Sequence, residues 1–192
     1  MKTSIPKTTA ALMPAALSLL ALATLAGQAN AEVADLTPSG FLIRHEIVVD
    51  QTPEQAYKTL VNIGGWWNPA HTYSGNARNM SIDAKPGGCF CEQLPNGGVQ
   101  HLAVVFAKPG QLLRMAGALG PLQGSGVAGS MSWQISANPG ATPDKPSSKL
   151  VMTYSVGGYM QGGFEKIAPA VNGVLGEQVG RLKNFANTGK PD

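Results

Sequence analysis

The two cysteines of this 192-residue chain lie one residue apart, Cys89 and Cys91, within Gly87-Gly88-Cys89-Phe90-Cys91-Glu92. Thiols at that spacing share one side of a β-strand, and they can be plain buried thiols, a disulfide, metal ligands or redox groups. In a regular strand positions i and i+2 are about 6.6 Å apart, whereas the Cβ atoms of a disulfide lie roughly 3.5–4.5 Å apart. A bridge therefore needs a bulge or kink, which Gly87-Gly88 could allow, and it would be easily reduced. A metal would want further ligands from His45, His71 or His101. The chain has no second Cys-x-Cys and no His-x-His, so the metal signal is weak; no metal ligand and no cofactor is assigned.

Glu92, His71 and His101 are the candidate acid–base groups should the protein be an enzyme. Leu94-Pro95-Asn96-Gly97-Gly98-Val99 signals a hairpin, because Asn-Gly supplies the positive φ angles of a tight turn. Pairing across Asn96-Gly97 sets Glu92 opposite His101 and Cys91 opposite Leu102. Cys89, Cys91, Leu102, Val104 and Phe106 then form the apolar inner face, and Glu92 with His101 makes a solvent-facing cross-strand pair. A one-residue slip reverses this and turns them into an interior acid–base pair. His71-Thr72-Tyr73-Ser74-Gly75 reads as a loop in which a histidine beside hydroxyls could hold a polar ligand head or relay a proton.

Trp66, Trp67, Met115, Trp133 and Tyr154 could line an apolar pocket or fill the core. Gln123 lies in the glycine-rich segment 120–126, which reads as a gate or an ordinary loop. Ser125 between two glycines lacks the strand–turn–helix setting of a hydrolase nucleophile.

Lys2 and Lys7, the apolar run 10–25 and Ala29-Asn30-Ala31 have the pattern of a secretory signal. Residues 1–31 are expected to be cleaved, placing the mature chain in the periplasm or outside the cell. The remaining 161 residues suit one domain. The formal charge of +3 includes Lys2 and Lys7, so the mature balance is 12 basic against 11 acidic residues. Without a basic cluster interleaved with aromatics, no nucleic-acid partner is expected. No later apolar run is long enough to span a membrane. The sequence sets no oligomeric state.

Residues 32–39 read as a lead, 40–188 as the domain and 189–192 as a tail. Alternation predicts a strand over 40–49, with His45 on its apolar side. Thr52-Pro53-Glu54-Gln55 starts a helix with a capping box, and a second short helix or tight turn carries the tryptophans. Six strands follow, at 80–83, 89–93, 99–106, 112–119, 129–136 and 150–156. Ile167, Val171, Val174, Val179, Leu182 and Phe185 mark a long terminal helix, interrupted or kinked near Pro169. Its glycines 173, 176 and 180 serve close packing or leave room for a ligand.

This order, with Thr52-Pro53-Glu54-Gln55-Ala56-Tyr57, Trp66-Trp67, the Gly-Gly-Cys-Phe-Cys-Glu segment, the hairpin at 95–98 and Pro109-Gly110, resembles the START-related helix-grip superfamily, SRPBCC. It is most similar to the branch of polyketide cyclases and homologues of the activator of heat-shock-protein ATPase. The resemblance implies an α+β fold, with a curved antiparallel sheet of about seven strands around a long C-terminal helix and two short helices after the first strand. It also implies a small hydrophobic or amphipathic molecule held in an internal cavity. On that reading Trp66, Trp67, His71, Tyr73, Cys89, Cys91, Leu102, Met115, Gln123, Trp133 and Tyr154 are candidate ligand contacts. The protein is then an exported binder, or alternatively a cyclase, isomerase or lyase using Glu92 with His71 or His101, or a thiolate metal or redox protein.

Overall fold

The computed structural model describes Met1 and residues 31–192, so all but the ends of the expected signal segment lie outside the described residues. One antiparallel sheet holds eight strands: β1 (Ala31–Thr37), β2 (Gly40–Val49), β3 (Met80–Ile82), β4 (Cys89–Leu94), β5 (Gly97–Lys108), β6 (Leu112–Ala116), β7 (Gly126–Ala137) and β8 (Ser148–Tyr159). Their order is β1-β2-β8-β7-β6-β5-β4-β3. The sheet curves against a long C-terminal helix, α2 (Ile167–Thr188), which packs on β1 and β2. This is the helix-grip architecture. Residues 31–37, read from sequence as part of the signal and lead, supply the eighth strand by pairing along β2.

Alternation explains which face is wet. In β2, Phe41, Ile43, His45, Ile47 and Val49 are buried, while Arg44 and Glu46 lie on the other face and pair with each other. In β8 Leu150, Met152, Tyr154 and Val156 do the same, and they meet Leu175, Val179 and Leu182 from α2 in one core. Thr52 caps helix α1 (Pro53–Val61): its hydroxyl accepts from Gln55 N and the Gln55 side chain accepts from Thr52 N. The tryptophan pair then sits between two single 3₁₀ turns, Ile63–Gly65 and Pro69–His71, so the tight-turn alternative describes this stretch.

The terminal helix and the hairpin turn depart from expectation. Helix α2 runs through Pro169 without a break, because that residue lies in the first turn, where its missing N–H has no helical acceptor to lose. The hairpin turn is centred on Pro95-Asn96, not Asn96-Gly97, with Leu94 opposite Gly97 and Glu92 opposite Val99. Proline holds φ near −65°, which excludes the mirror-image turn that Asn-Gly favours. No non-glycine residue among the described ones has positive φ.

Two irregularities in β5 then decide which side chains face inward. The register jumps between Cys91↔Gln100 and Phe90↔Leu102, leaving His101 as an extra residue, so His101 and Leu102 are both buried. A second jump between Val104↔Met115 and Phe106↔Arg114 inserts Val105, and Phe106 is exposed where alternation had placed it inside. On β4 the inward residues are Phe90 and Glu92, and the half-buried Cys89 and Cys91 point to the other face. The expected inner face is thus reversed on β4 but kept by Leu102 and Val104 on β5.

The glycines separate into tight and open sites. A Cβ on Gly88 would lie 1.9 Å from the Asp83 carbonyl oxygen, whereas one on Gly173, within α2, meets nothing within 4 Å. Gly88→Ala is expected to destabilise by more than about 2 kcal/mol through forced backbone movement. Gly173→Ala should stabilise by roughly 0.5–1 kcal/mol by removing helix-interior glycine. Urea unfolding of both variants checks the opposite signs.

Candidate functional site

A pocket of about 360 Å³ opens where the 67–73 loop, the Leu119–Leu122 segment and the first half of α2 converge on β5. Trp67, Leu119, Leu122, Ile167, Val171 and Val174 give it apolar walls, and His71, Thr72, Tyr73 and His101 supply its polar side chains. Two glutamates hold the loop in place from opposite directions.

Glu92 does so from the sheet. The residue is 1% exposed, and its carboxylate accepts hydrogen bonds from Tyr73 N (3.1 Å), Ser74 N (2.5 Å) and His101 Nε2 (3.1 Å). Burial by itself would raise the pKa of Glu92, but the bonds from Ser74, Tyr73 and His101 outweigh it and hold the carboxyl below its usual range. His101, 4% exposed, is pushed down by burial, partly offset by Glu92. An ionised carboxylate only accepts, so Nε2 carries the proton and the neutral ring keeps its lone pair on Nδ1. That nitrogen is buried and has no hydrogen-bond partner among the described residues. The ring is flanked by Phe90 at 5.0 Å and Tyr73 at 6.0 Å between centroids.

Glu177 acts from the helix. Its carboxylate takes bonds from the Asn68 side chain and from His71 Nε2 at 3.0 Å, and the Asn68 side chain most of all draws its pKa down. Beside it Asn68 N donates to Gln178 Oε1 at 2.8 Å and Arg181 Nε donates to Trp66 O at 2.9 Å. The 66–74 loop is therefore clamped between helix and sheet, with Trp67 Nε1 bonded to His71 O at 2.9 Å inside it.

Of the residues singled out from sequence, Trp67, His71, Tyr73 and His101 stand on the pocket wall, with Glu92 directly behind His101. Trp66, Leu102, Met115 and Trp133 are packed in the core away from it. Trp66 spends its indole N–H on the Thr59 and Leu60 carbonyls. Gln123 is exposed and ties its segment to β5 through the Gln100 carbonyl. Tyr154 lies outside the pocket but accepts from Leu119 N (2.8 Å) and donates to Gly117 O (3.1 Å), which positions the Leu119–Leu122 wall. Burial raises its pKa to about 12, so it stays a donor. Cys89 and Cys91 form a disulfide on the opposite face, with Cα atoms 5.3 Å apart. The placement of Glu92 and His101 on solvent is corrected: they are an interior pair. Glu177 and the apolar face of α2 were not picked out from sequence, although Ile167, Val171 and Val174 were already on its hydrophobic stripe.

His45 is the other buried imidazole. It sits beneath Gly176, whose hypothetical Cβ would approach its Cε1 to 3.0 Å, and its Nε2 has no partner among the described residues. Burial lowers its pKa, partly countered by Asn172.

No family model and no curated protein matches the chain. Among solved structures it is similar to a conserved protein of unknown function from Enterococcus faecalis, at 12% identity and TM-score 0.53, covering 80% of this chain and 75% of that one. It is also similar to CalU16 from Micromonospora echinospora, at 13% identity and TM-score 0.51, covering 80% and 78%. Norcoclaurine synthase from Thalictrum flavum, at 12% identity, superposes with TM-score 0.49 over 79% of this chain and 97% of that one. The first two likenesses establish a shared fold.

Acid should unfold this protein through these groups. Glu92 has a depressed folded pKa, so its stabilisation is present above the ordinary carboxylate range and is lost as pH falls through the folded value. His101 and His45 are also depressed, so below about pH 6.5 the unfolded chain binds protons that the native state refuses. Stability is therefore expected to decline from pH 7 to pH 5, by up to about 1.4 kcal/mol per pH unit for each histidine. Urea unfolding across that range should show a shallower slope in His101→Gln than in wild type.

Proposed function

We propose that this protein is an exported binder, periplasmic or secreted, that holds a small hydrophobic or amphipathic molecule in the pocket between α2, the 67–73 loop and β5. The observation that carries the reading is the division of that pocket into apolar walls and a group of polar side chains. A volume of about 360 Å³ sits at the small end of ligand sites, roughly 300–1,000 Å³. The ligand is accordingly compact, with one polar end. Its apolar body contacts the Ile167, Val171 and Val174 face of α2, and its polar end reaches His71, Thr72 or Tyr73. The sequence features at 52–57, 66–67 and 87–92 support membership in the polyketide-cyclase-like branch of the helix-grip superfamily. The signal-like N-terminus and the cross-linked cysteines support an oxidising compartment. This reading assigns no nucleic-acid partner and no cofactor.

A second reading has its own observation, the Glu92–His101 pair. A carboxylate that fixes one ring nitrogen as N–H leaves the other as a base, the arrangement in which a general base is oriented by a third group. In a cyclase, isomerase or lyase, His101 would take a proton from a substrate carbon or hydroxyl and Glu92 would stabilise the resulting imidazolium. His71, paired with Glu177, would stand at the rim as a second proton carrier.

Val174→Trp fills the pocket from a half-buried helix position. It should weaken binding of the neutral dye N-phenyl-1-naphthylamine at least tenfold without lowering the melting temperature by more than a few degrees. Dye affinity equal to wild type would refute the site. His101→Gln separates the two readings: a binder retains the molecule that co-purifies with it in native mass spectrometry, whereas an enzyme retains the molecule and no longer converts it.

A further inference from the structure

The disulfide lies opposite the irregularity that builds the pocket's buried pair. Cys89 and Cys91 have Cα atoms 5.3 Å apart, about 1.3 Å less than two residues of regular strand. On the facing strand the register shift between Phe90 and Cys91 leaves His101 as the extra residue. A shortened β4 thus faces a lengthened β5 at the same point. The residue enclosed by the cross-link, Phe90, is fully buried and packs on His101 (5.0 Å) and Trp67 (5.9 Å), two residues of the pocket wall. A cross-link over three residues is among the smallest loops two cysteines can close, so it constrains the unfolded chain least. Its effect is local geometry.

Both cysteines are partly exposed. Cys89 and Cys91 are half-buried on the face away from the pocket, and Cys91 borders a separate open groove lined by Arg78, Ser81, Gln93 and Gln100. Arg78 and Glu92 are the charged residues on that groove.

We propose that the Cys89–Cys91 disulfide is a thiol–disulfide exchange site for a dithiol reductant, and that its redox state sets the position of Phe90 and His101 in the pocket. A thiolate of the reductant attacks Cys91 Sγ, the S–S bond breaks, and Cys89 leaves as a thiolate. The reductant's second thiolate then attacks the mixed disulfide and releases Cys91. The dithiol gives up two electrons and becomes a disulfide, and its two protons end on the cysteines. With the bridge gone, β4 can lengthen to regular strand spacing, the compensating bulge at His101 is no longer required, and the Phe90–His101 contact shifts. The exchange stands apart from the ligand reading; the change in affinity rests on it.

The test uses the full mature chain. Dithiothreitol titration under native conditions, followed by alkylation and intact mass spectrometry, should show two alkyl groups added while the far-ultraviolet circular dichroism is unchanged. Reduced protein and the Cys89→Ser/Cys91→Ser variant should both bind N-phenyl-1-naphthylamine with affinity altered threefold or more, and both should shift the His101 ring signals in NMR. A pair that stays oxidised in the folded protein under excess dithiothreitol overturns the proposal. So does reduction that leaves the His101 signals in place. Dye bound by neither form, with His101 still shifting on reduction, refutes the pocket as the binding site and supports the exchange site.

Discussion

A fully buried carboxylate has to be matched by donors, and that of Glu92 obtains them from two different parts of the chain. Leaving such a group unpaired would cost several kcal/mol. Tyr73 and Ser74 give their backbone N–H groups and His101 gives Nε2–H. One charge therefore fixes the path of a loop, the tautomer of a histidine and the seating of a strand. The loop cannot move outward without exposing that charge, and the ring cannot flip without presenting a lone pair to an anion. Glu177 repeats the device at the helix with exposed and therefore weaker bonds. The pocket lies between these two fixed points.

The strands accommodate this charge by irregularity. Regular alternation from the Pro95-Asn96 turn would put Leu102 on the opposite side of β5 from His101, yet both are buried. The inserted residue resolves the conflict: Leu102 and Val104 continue the core, while His101 turns in beside Glu92. The disulfide on β4 and the extra residue on β5 are the two sides of one distortion. Tyr154 contributes from a distance, since its hydroxyl holds Gly117 and Leu119 and so sets the opposite pocket wall.

Much of the scaffold could be read from the sequence because local patterns carry it. Phe41 to Val49 and Leu150 to Val156 alternate cleanly, Thr52 to Gln55 caps a helix, and the 167–185 stripe has helical period. The site was harder for two physical reasons. Its register depends on which pair of residues forms the turn, and a proline next to Asn-Gly moves that centre by one position. Its contacts are also long-range: Glu92 meets a loop 18 and 19 residues back, and His71 meets Glu177 across 106 residues. Spacing marked Glu92, His101 and His71 as candidates, but the inward direction of the first two follows from a bulge that no local pattern announces. Edge strand β1 was hidden for a different reason, since residues 31–37 carry little hydrophobic alternation and directly follow a signal-like run.

The central claim is that His101 is a neutral imidazole, protonated on Nε2 by its bond to a buried, ionised Glu92, with a free lone pair on Nδ1. Nitrogen-15 NMR of the histidine rings at pH 7 tests it most directly. The account predicts a pyrrole-type shift at Nε2 and a pyridine-type shift at Nδ1, both persisting as pH falls through 6.5 and collapsing in Glu92→Gln. Equal shifts from a charged ring at pH 7, or the reverse tautomer, would contradict it.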